Sequence, residues 1–522
     1  MVERHAQVVA HVHVIEVDAR DSPRLTHHLT SCLDFTAAML PACIGCVKRC
    51  VAIVNIWYNR NDVRNYLIMK LFRTIVIVSA IFCLFPNCAT TEADSETALT
   101  AEETALNLES FDYIWTTMRD RNWDPDLSGL NWDAVREEVR PLVADAVTME
   151  ESRRAMTNML RQIEQTHLSL IPASVYAEID TTAVAESDEN NTDYSSGSVA
   201  PRGVTGLSVR VINDRLLVIH VEPNSPADAA GVMQGWEIAA IDGKRIGPII
   251  REVTASLEAS TMRQIILSRT FSDRMDGPID ATIDVRFRDG DHKRQTLGIG
   301  RAIPEGEDIV FGNLPVGQVW LKHKAIDDDI GYIAFNVFMD PVNLMPNFAE
   351  AVETYRDRSG IVLDLRGNRG GIAAMAMGLA GWFVSESDAY LGTMYMRNAE
   401  LQMVVNPRLN AYDGPVAVLV DGCSASCAEI FAGGLRDLGR ARIFGSPTAG
   451  AALPAAVERL PNGDGFMYPV ADYLSRNGDR FEGEGVVPDE DVGYERDALL
   501  AGRDGALDAA ASWIRESDRG GL

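Results

Sequence analysis

Five apolar residues, Val416 to Val420, run into Asp421-Gly422-Cys423-Ser424-Ala425-Ser426-Cys427, and an apolar helical spacing resumes from Ala428 to Leu435. A short apolar run bounded by such a turn reads as a buried strand, and the segment beyond the turn as a helix. The turn between them consists of small residues, with Ser426 at its tip. A hydroxyl there projects from the end of a sheet. The next amide, that of Cys427, falls at a helix N-terminus, where free N–H groups hold an oxyanion. Taken alone, Ser-Ala-Ser reads first as a serine-rich helix cap. Its surroundings change that reading.

Three further motifs accompany the turn: Leu363-Asp364-Leu365-Arg366-Gly367-Asn368-Arg369-Gly370-Gly371, Gly445-Ser446-Pro447-Thr448-Ala449-Gly450, and Glu482-Gly483-Glu484-Gly485-Val486-Val487-Pro488-Asp489. Together, and in this order, the four segments resemble the C-terminal processing (tail-specific) serine peptidases. The resemblance covers roughly Ala101 to Val492. It implies an α/β fold: a ClpP/crotonase-like ββα-superhelix catalytic core with an N-terminal helical bundle and an inserted PDZ-like domain.

The chain has 522 residues, enough for two to four domains with sizeable cores. Its 48 Lys and Arg stand against 75 Asp and Glu, a formal charge of −27. That balance argues against nucleic acid as a partner and for a soluble, self-repelling surface. Residues 1–68 are unlike the rest, holding five of the nine histidines and four of the eight cysteines. Cys43-Ile44-Gly45-Cys46 has no second pair at a ligand spacing, so no metal site is expected. Met69-Lys70-Leu71-Phe72-Arg73 then opens a basic segment, and Thr74 to Phe85 is an apolar run too short for a stable membrane span. Residues 69–88 therefore read as an export signal, with 1–68 an upstream extension. Cys88 is a candidate lipidated terminus, although Pro86-Asn87 fits poorly before such a cysteine. The expected location is the periplasm or cell envelope, freely secreted or lipid-anchored. Beyond the signal only Cys423 and Cys427 remain, which excludes a disulfide scaffold.

Residues 100–182 are helical in pattern, with Leu106, Phe111, Ile114, Trp115 and Met118 at helical spacing and a break at Asn122-Trp123-Asp124-Pro125. Residues 183–199 are polar and acidic and read as a linker. Residues 200–301 change to short strands and turns. Gly206-Leu207-Ser208-Val209, Pro223-Asn224-Ser225-Pro226-Ala227 and Gly235-Trp236-Glu237-Ile238 resemble a PDZ domain. Such a domain adds an extended peptide C-terminus to a sheet edge, here at Gly206, Leu207, Ser208 and Val209. The plainer reading is a module that only stiffens the chain. Residues 302–510 alternate strands and helices and form the catalytic-type domain.

A serine needs a base. Members close to the tail-specific proteases carry a lysine after Gly-x-x-Thr-x-Gly, but Ala451 stands at that place here. No lysine follows Lys324, and residues 325–522 contain no histidine. A Ser–Lys dyad within the catalytic domain is therefore excluded. Of the histidines beyond the extension, His220, His292 and His323 read as structural or exposed. His167, between a helix end and an apolar strand, resembles the histidine of the tricorn-protease-like and retinoid-binding-protein-like branch, with Thr166 where that branch has a serine. By the same match Glu482 is the acidic member, and Glu484 is the alternative. The resemblance implies Ser426 as nucleophile, His167 as base, Thr166 and Glu482 orienting it, and the amides of Gly371 and Cys427 as oxyanion hole. The expected activity is hydrolysis of unstructured polypeptide C-termini without a cofactor. The competing expectations are a catalytically silent peptide- or lipid-binding protein and, with little support, a crotonase-like transferase or hydratase.

Overall fold

The computed structural model describes residues 98–173, 202–256, 261–309, 312–313 and 317–520. The upstream extension, the export signal, Cys88 and the acidic linker 183–199 lie outside them.

Three helices come first: α1 (Ala101–Arg121), α2 (Trp132–Ala144) and α3 (Met149–Arg161). Thr100 starts α1 by accepting the Glu103 N–H, while the Glu103 carboxylate accepts the Thr100 N–H; Thr148 and Glu151 do the same for α3. Phe111, Ile114, Trp115 and Met118 fall on one face of α1 and are buried. Each such side chain contributes roughly 1.5–3 kcal/mol by leaving water. Trp115 and Trp132 fasten α1 to α2, each indole N–H donating to the other's carbonyl. The chain leaves α3 through Thr166-His167 and enters the short strand β1 (Ser169–Ile171).

A second region begins with β2 (Leu207–Ile212) and β3 (Arg215–Val221), joined by Asn213-Asp214. Both turn residues have positive φ, 48° and 59°, matching the twist that a two-residue hairpin requires. Next come β4 (Glu237–Ile241), β5 (Lys244–Arg245), helices α4 (Ile246–Ser256) and α5 (Arg263–Met275), and strands β6 (Thr282–Arg288) and β7 (Arg294–Gly300). The sheet runs β2-β3-β4-β6-β7, with β5 paired to β4. Ile246 and Ile250 of α4 and Leu267, Phe271 and Met275 of α5 share its core.

The third region carries β8 (Leu321–Ile326), β9 (Ile330–Phe335), α6 (Leu344–Thr354), β10 (Gly360–Asp364), α7 (Ala373–Ala380) and the hairpin β11 (Tyr390–Met396) and β12 (Ala399–Val404). It continues with β13 (Val416–Val420), α8 (Cys427–Asp437), β14 (Arg442–Gly445), β15 (Ala455–Arg459), β16 (Gly465–Pro469), β17 (Ala471–Ser475), β18 (Glu490–Asp491) and α9 (Gly505–Gly520). Six strands form the central sheet in the order β8-β9-β10-β13-β14-β18. Only β8 is antiparallel to its neighbour; the other pairings are parallel. Every residue of β10 and β13 is buried, which is why both read as unbroken apolar runs. Ile361, Leu363, Val418 and Val420 face one core with Phe348 of α6 and Phe431 of α8. Val362, Ala417 and Leu419 face the other with Ala510 and Ile514 of α9. The fold is therefore a mixed α/β one.

Two features of this framework bring distant segments together. The C-terminal ends of β10, β13 and β14 open into the loops after Asp364, Val420 and Gly445, where parallel sheets commonly carry their sites. In addition, β1 pairs antiparallel with β16, Ser169 opposite Met467 and Ile171 opposite Gly465. The helices share a core with Leu460, Phe466 and Tyr468. That docking carries Thr166-His167 to the Glu482 carboxylate of the third region.

Candidate active site

Ser426 sits at the turn from β13 into α8 with φ 56° and ψ −120°. A non-glycine residue held there is strained, a condition that concentrates at functional positions. The turn is braced from several sides. Ser426 N donates to the Ala451 carbonyl at 2.8 Å, and Ala425 N to the Asn368 carbonyl at 2.9 Å. Buried Asn368 in turn donates to the Phe335 carbonyl and accepts from Gly370 N. Fully buried Glu429, in the first turn of α8, gathers four donors: Ser426 N at 2.8 Å, Thr448 Oγ1 at 2.5 Å, Gly450 N at 2.8 Å and Ala451 N at 3.0 Å. Burial pushes its carboxyl up to about 7 against those four bonds. Thr448 Oγ1 also accepts Val486 N at 2.6 Å, so the threonine of Gly-x-x-Thr-x-Gly is a strut under the turn.

The opposite side is assembled from remote residues. Glu482 accepts Thr166 N and Thr166 Oγ1, each at 3.0 Å, and Ala452 N at 3.0 Å. Thr166 Oγ1 lies 2.8 Å from His167 Nδ1. Since the threonine proton goes to the carboxylate, its oxygen accepts Nδ1–H, and Nε2 keeps its lone pair. Burial pushes the imidazole down to about 4, so at neutral pH it is uncharged. It pushes the Glu482 carboxyl upward, against the donated bonds from Thr166 and Ala452. The two sides meet at one peptide unit: the Ala451 carbonyl accepts Ser426 N, and the Ala452 N–H donates to Glu482. Among the described residues His167 makes its ring hydrogen bond to Thr166 alone, with none to Ser426. Nucleophile–base bonds are often loose until substrate arrives.

Both glycines beside the turn are required by geometry. Gly370 has φ 88°, and a Cβ there would lie 2.7 Å from both Cys427 N and Ser426 Cβ; at Gly371, φ 137°, it would lie 2.3 Å from the Phe338 carbonyl oxygen. Cys427 N begins α8, and neither it nor Gly371 N has a hydrogen-bond acceptor among the described residues. The two cysteines are free and buried, their thiols pushed up to about 11 at Cys423 and about 12 at Cys427, hence inert at neutral pH.

Other sequence candidates sit elsewhere. Glu484 is exposed, so Glu482 is the carboxylate that reaches Thr166. His220 faces Glu222 at 3.4 Å, and His323 meets the Tyr355 hydroxyl at 3.0 Å. Gly206, Leu207, Ser208 and Val209 enter β2, an edge strand. The outward carbonyls of Val209 and Val211 accept Ser268 Oγ at 3.2 Å and Gln264 Nε2 at 2.7 Å from α5. The same helix puts Ile265, with neighbouring Met262, on Ala425, Ala449 and Ala451 at the nucleophile turn.

Sequence reasoning missed Asn368, Glu429 and Thr448 as braces, though Ser426-x-x-Glu429 is a readable capping pattern. It also missed Arg210. That guanidinium reaches out of β2 to Asp421 at the end of β13, with contacts of 2.7 and 2.9 Å, both groups buried. Asp421 also accepts Gly367 N and Cys423 N. Although burial opposes the charge, Arg210 and these amides hold the carboxyl below its usual range. No local pattern announces such a pair.

Residues 329–492 match the model of peptidase family S41, and residues 106–161 that of the tricorn protease C1 domain. A carboxyl-terminal-processing protease of Synechocystis sp. is 25% identical over 397 residues, 75% of this chain and 81% of the relative. One of Picosynechococcus sp. is 26% identical over 399 residues, 76% and 84%. Among solved structures, mature CPAF superposes with a TM-score of 0.53 at 12% identity, over 79% of this chain and 97% of that one, a likeness of fold. The region that holds Ser426 is thus similar to peptidase family S41, and the helices ahead of Thr166-His167 to the tricorn protease C1 domain.

Proposed function

We propose that this chain is a serine peptidase of the C-terminal-processing type, with a Ser–His site in place of a Ser–Lys dyad. The observation that carries the reading is the hydrogen-bonded run from Glu482 through Thr166 to His167 Nδ1, in a chain with no lysine or histidine after Lys324. Ser426 Oγ attacks the scissile carbonyl as Nε2 of His167 takes its proton. The imidazolium is stabilised through Thr166 by Glu482, which also fixes the ring's tautomer. The N–H groups of Gly371 and Cys427 receive the developing oxyanion. Nε2 then returns the proton to the leaving amine, and water repeats the sequence on the acyl-enzyme.

In this proposal residues 100–182 deliver the base, 200–301 form a PDZ-like domain inserted ahead of the catalytic region, and 302–510 carry the nucleophile on a ClpP/crotonase-like core. The PDZ-like domain takes the substrate's unstructured C-terminus at the β2 edge. There an incoming strand replaces the Gln264 and Ser268 bonds. Its substrates are exported proteins, and the enzyme works in the periplasm or cell envelope, free or held through Cys88. No helix among the described residues is long and apolar enough to cross a membrane.

The test is labelling by a fluorophosphonate probe alongside hydrolysis of unfolded casein. The expected result is labelling at Ser426 and cleavage, both lost in Ser426→Ala. A wild-type protein that neither labels nor cleaves, yet binds C-terminal peptides, would make it the silent binder.

A further inference from the structure

The sheet of the second region bears a concave groove of about 510 Å³ whose lining is inverted in charge relative to the chain. Arg215, Arg245, Arg251, Arg286, Arg288 and Arg294 line it against Asp214 and Glu237, a formal excess of four positive charges. The whole chain stands at −27. Glu237 does not neutralise the cluster. It reaches Arg288 at 3.7 Å and Arg215 at 4.0 Å, and its Oε2 has no hydrogen bond. Arg245, Arg251, Arg286 and Arg294 have no ion pair among the described residues. Helix α4 begins in the same groove at Ile246-Gly247-Pro248, with no acidic residue in its first turn, so its positive end adds to the field.

The pairing makes the cluster costly. Arg288 of β6 stands directly opposite Arg294 of β7, and Arg286 lies two residues along the same face. Like charges in directly opposed cross-strand positions destabilise a sheet. A local rule broken with only the long Glu237 contacts to offset it points to something bound.

We propose that this groove is a docking site for an acidic polypeptide segment of a partner protein, outside the catalytic cleft and independent of its chemistry. Guanidinium forks match carboxylates two bonds at a time. The arginines are spread over four strands and a helix, which suits several carboxylates along a chain better than one small anion. The concave shape suits a peptide better than a planar bilayer. The net acidity of the rest of the chain disfavours an acidic segment elsewhere and so steers it toward this groove.

The experiment uses the full chain as Ser426→Ala, so that its answer does not depend on the peptidase reading. Binding of a fluorescein-labelled ten-residue poly-glutamate peptide is followed by anisotropy, with inorganic phosphate and phosphatidylglycerol vesicles as parallel arms. The expected result is saturable peptide binding that weakens as salt rises and falls roughly tenfold or more in Arg286→Gln/Arg294→Gln. Arg294→Gln alone is expected to leave the melting temperature unchanged or raise it, because it relieves the Arg288 repulsion. Absent peptide binding, equal binding by the double variant, or vesicles or phosphate held more tightly than the peptide would overturn the proposal. So would a lowered melting temperature of Arg294→Gln, which would make the arginines structural.

Discussion

Around Ser426 the hydrogen bonds gathered by Glu429 span at most 22 residues of chain, whereas the bond from Thr166 to Glu482 spans 316. The first carboxylate is fully buried and its donors are mostly backbone amides of its own region. The second is partly exposed and holds one short segment delivered by the α1–α3 helices. The scaffold of the Ser426 turn therefore belongs to the central-sheet region itself, while His167 is placed only when the helical segment docks. Damage to the first is expected to appear as lost stability, and damage to the second as lost turnover in a folded protein.

The strongest way to break this contrast is at the two groups proposed to react. Ser426→Ala and His167→Ala are each expected to lower kcat by roughly 10⁴-fold or more with the melting curve little changed. A His167→Ala enzyme within tenfold of wild type would remove His167 from the mechanism. Glu429→Ala leaves backbone donors unpaired in the core and is expected to cost about 3–5 kcal/mol in urea unfolding. If it melts like wild type while losing activity, the division between the two carboxylates fails. Glu482→Gln is expected to fold normally and lose roughly 10²-fold in kcat, less than a carboxylate bonded directly to a catalytic histidine would cost.

The pH profile sharpens the same point. With its folded value lowered to about 4 from an ordinary 6.5, His167 stays neutral through the mildly acidic range. The acid limb of kcat/KM is expected at about 4, because protonating Nε2 removes the base. The unfolded chain takes up this proton more readily, so the same group lowers stability as pH falls from 6.5 toward 4. An acid limb at 6–7 would show a well-solvated ring. The smallest expected effect is Thr166→Ser, which keeps the relaying hydroxyl and stays within about threefold in kcat, whereas Thr166→Val loses roughly tenfold or more.

Legibility in the sequence followed the same division. The strand at Val416–Val420 and the strand at Ile330–Phe335 could be read from their apolar runs, because both lie where the central sheet is covered. The helices α1 and α3 could be read from spacing and capping boxes. The strands β11, β12 and β15 to β17 were not anticipated. Their residues alternate weakly, and exposed Leu401 and Val404 in β12 blur the pattern. At the candidate site, the Ser426 turn could be read from its own residues, whereas naming His167, Thr166 and Glu482 as its partners rested on family likeness joined to the missing lysine; the fold brings those three together. Only the fold shows that Glu482 rather than Glu484 reaches Thr166: the segment folds as a turn closed on the Phe481 carbonyl, where the alternation of an extended strand does not hold. Arg210 and Asp421 are 211 positions apart, and nothing local relates them.

The Ala451–Ala452 peptide acts as a ruler. Its carbonyl fixes the nucleophile's main chain and its N–H fixes the carboxylate behind the histidine. A peptide group is planar with no soft torsion between those two atoms. The Ser426 main chain and the Glu482 carboxylate are thus both registered on one rigid peptide plane. Where a lysine would have to hold its long flexible stem in place to serve as base, the proposed mechanism needs only a methyl group at Ala451, and the registration of the two halves is carried by the backbone.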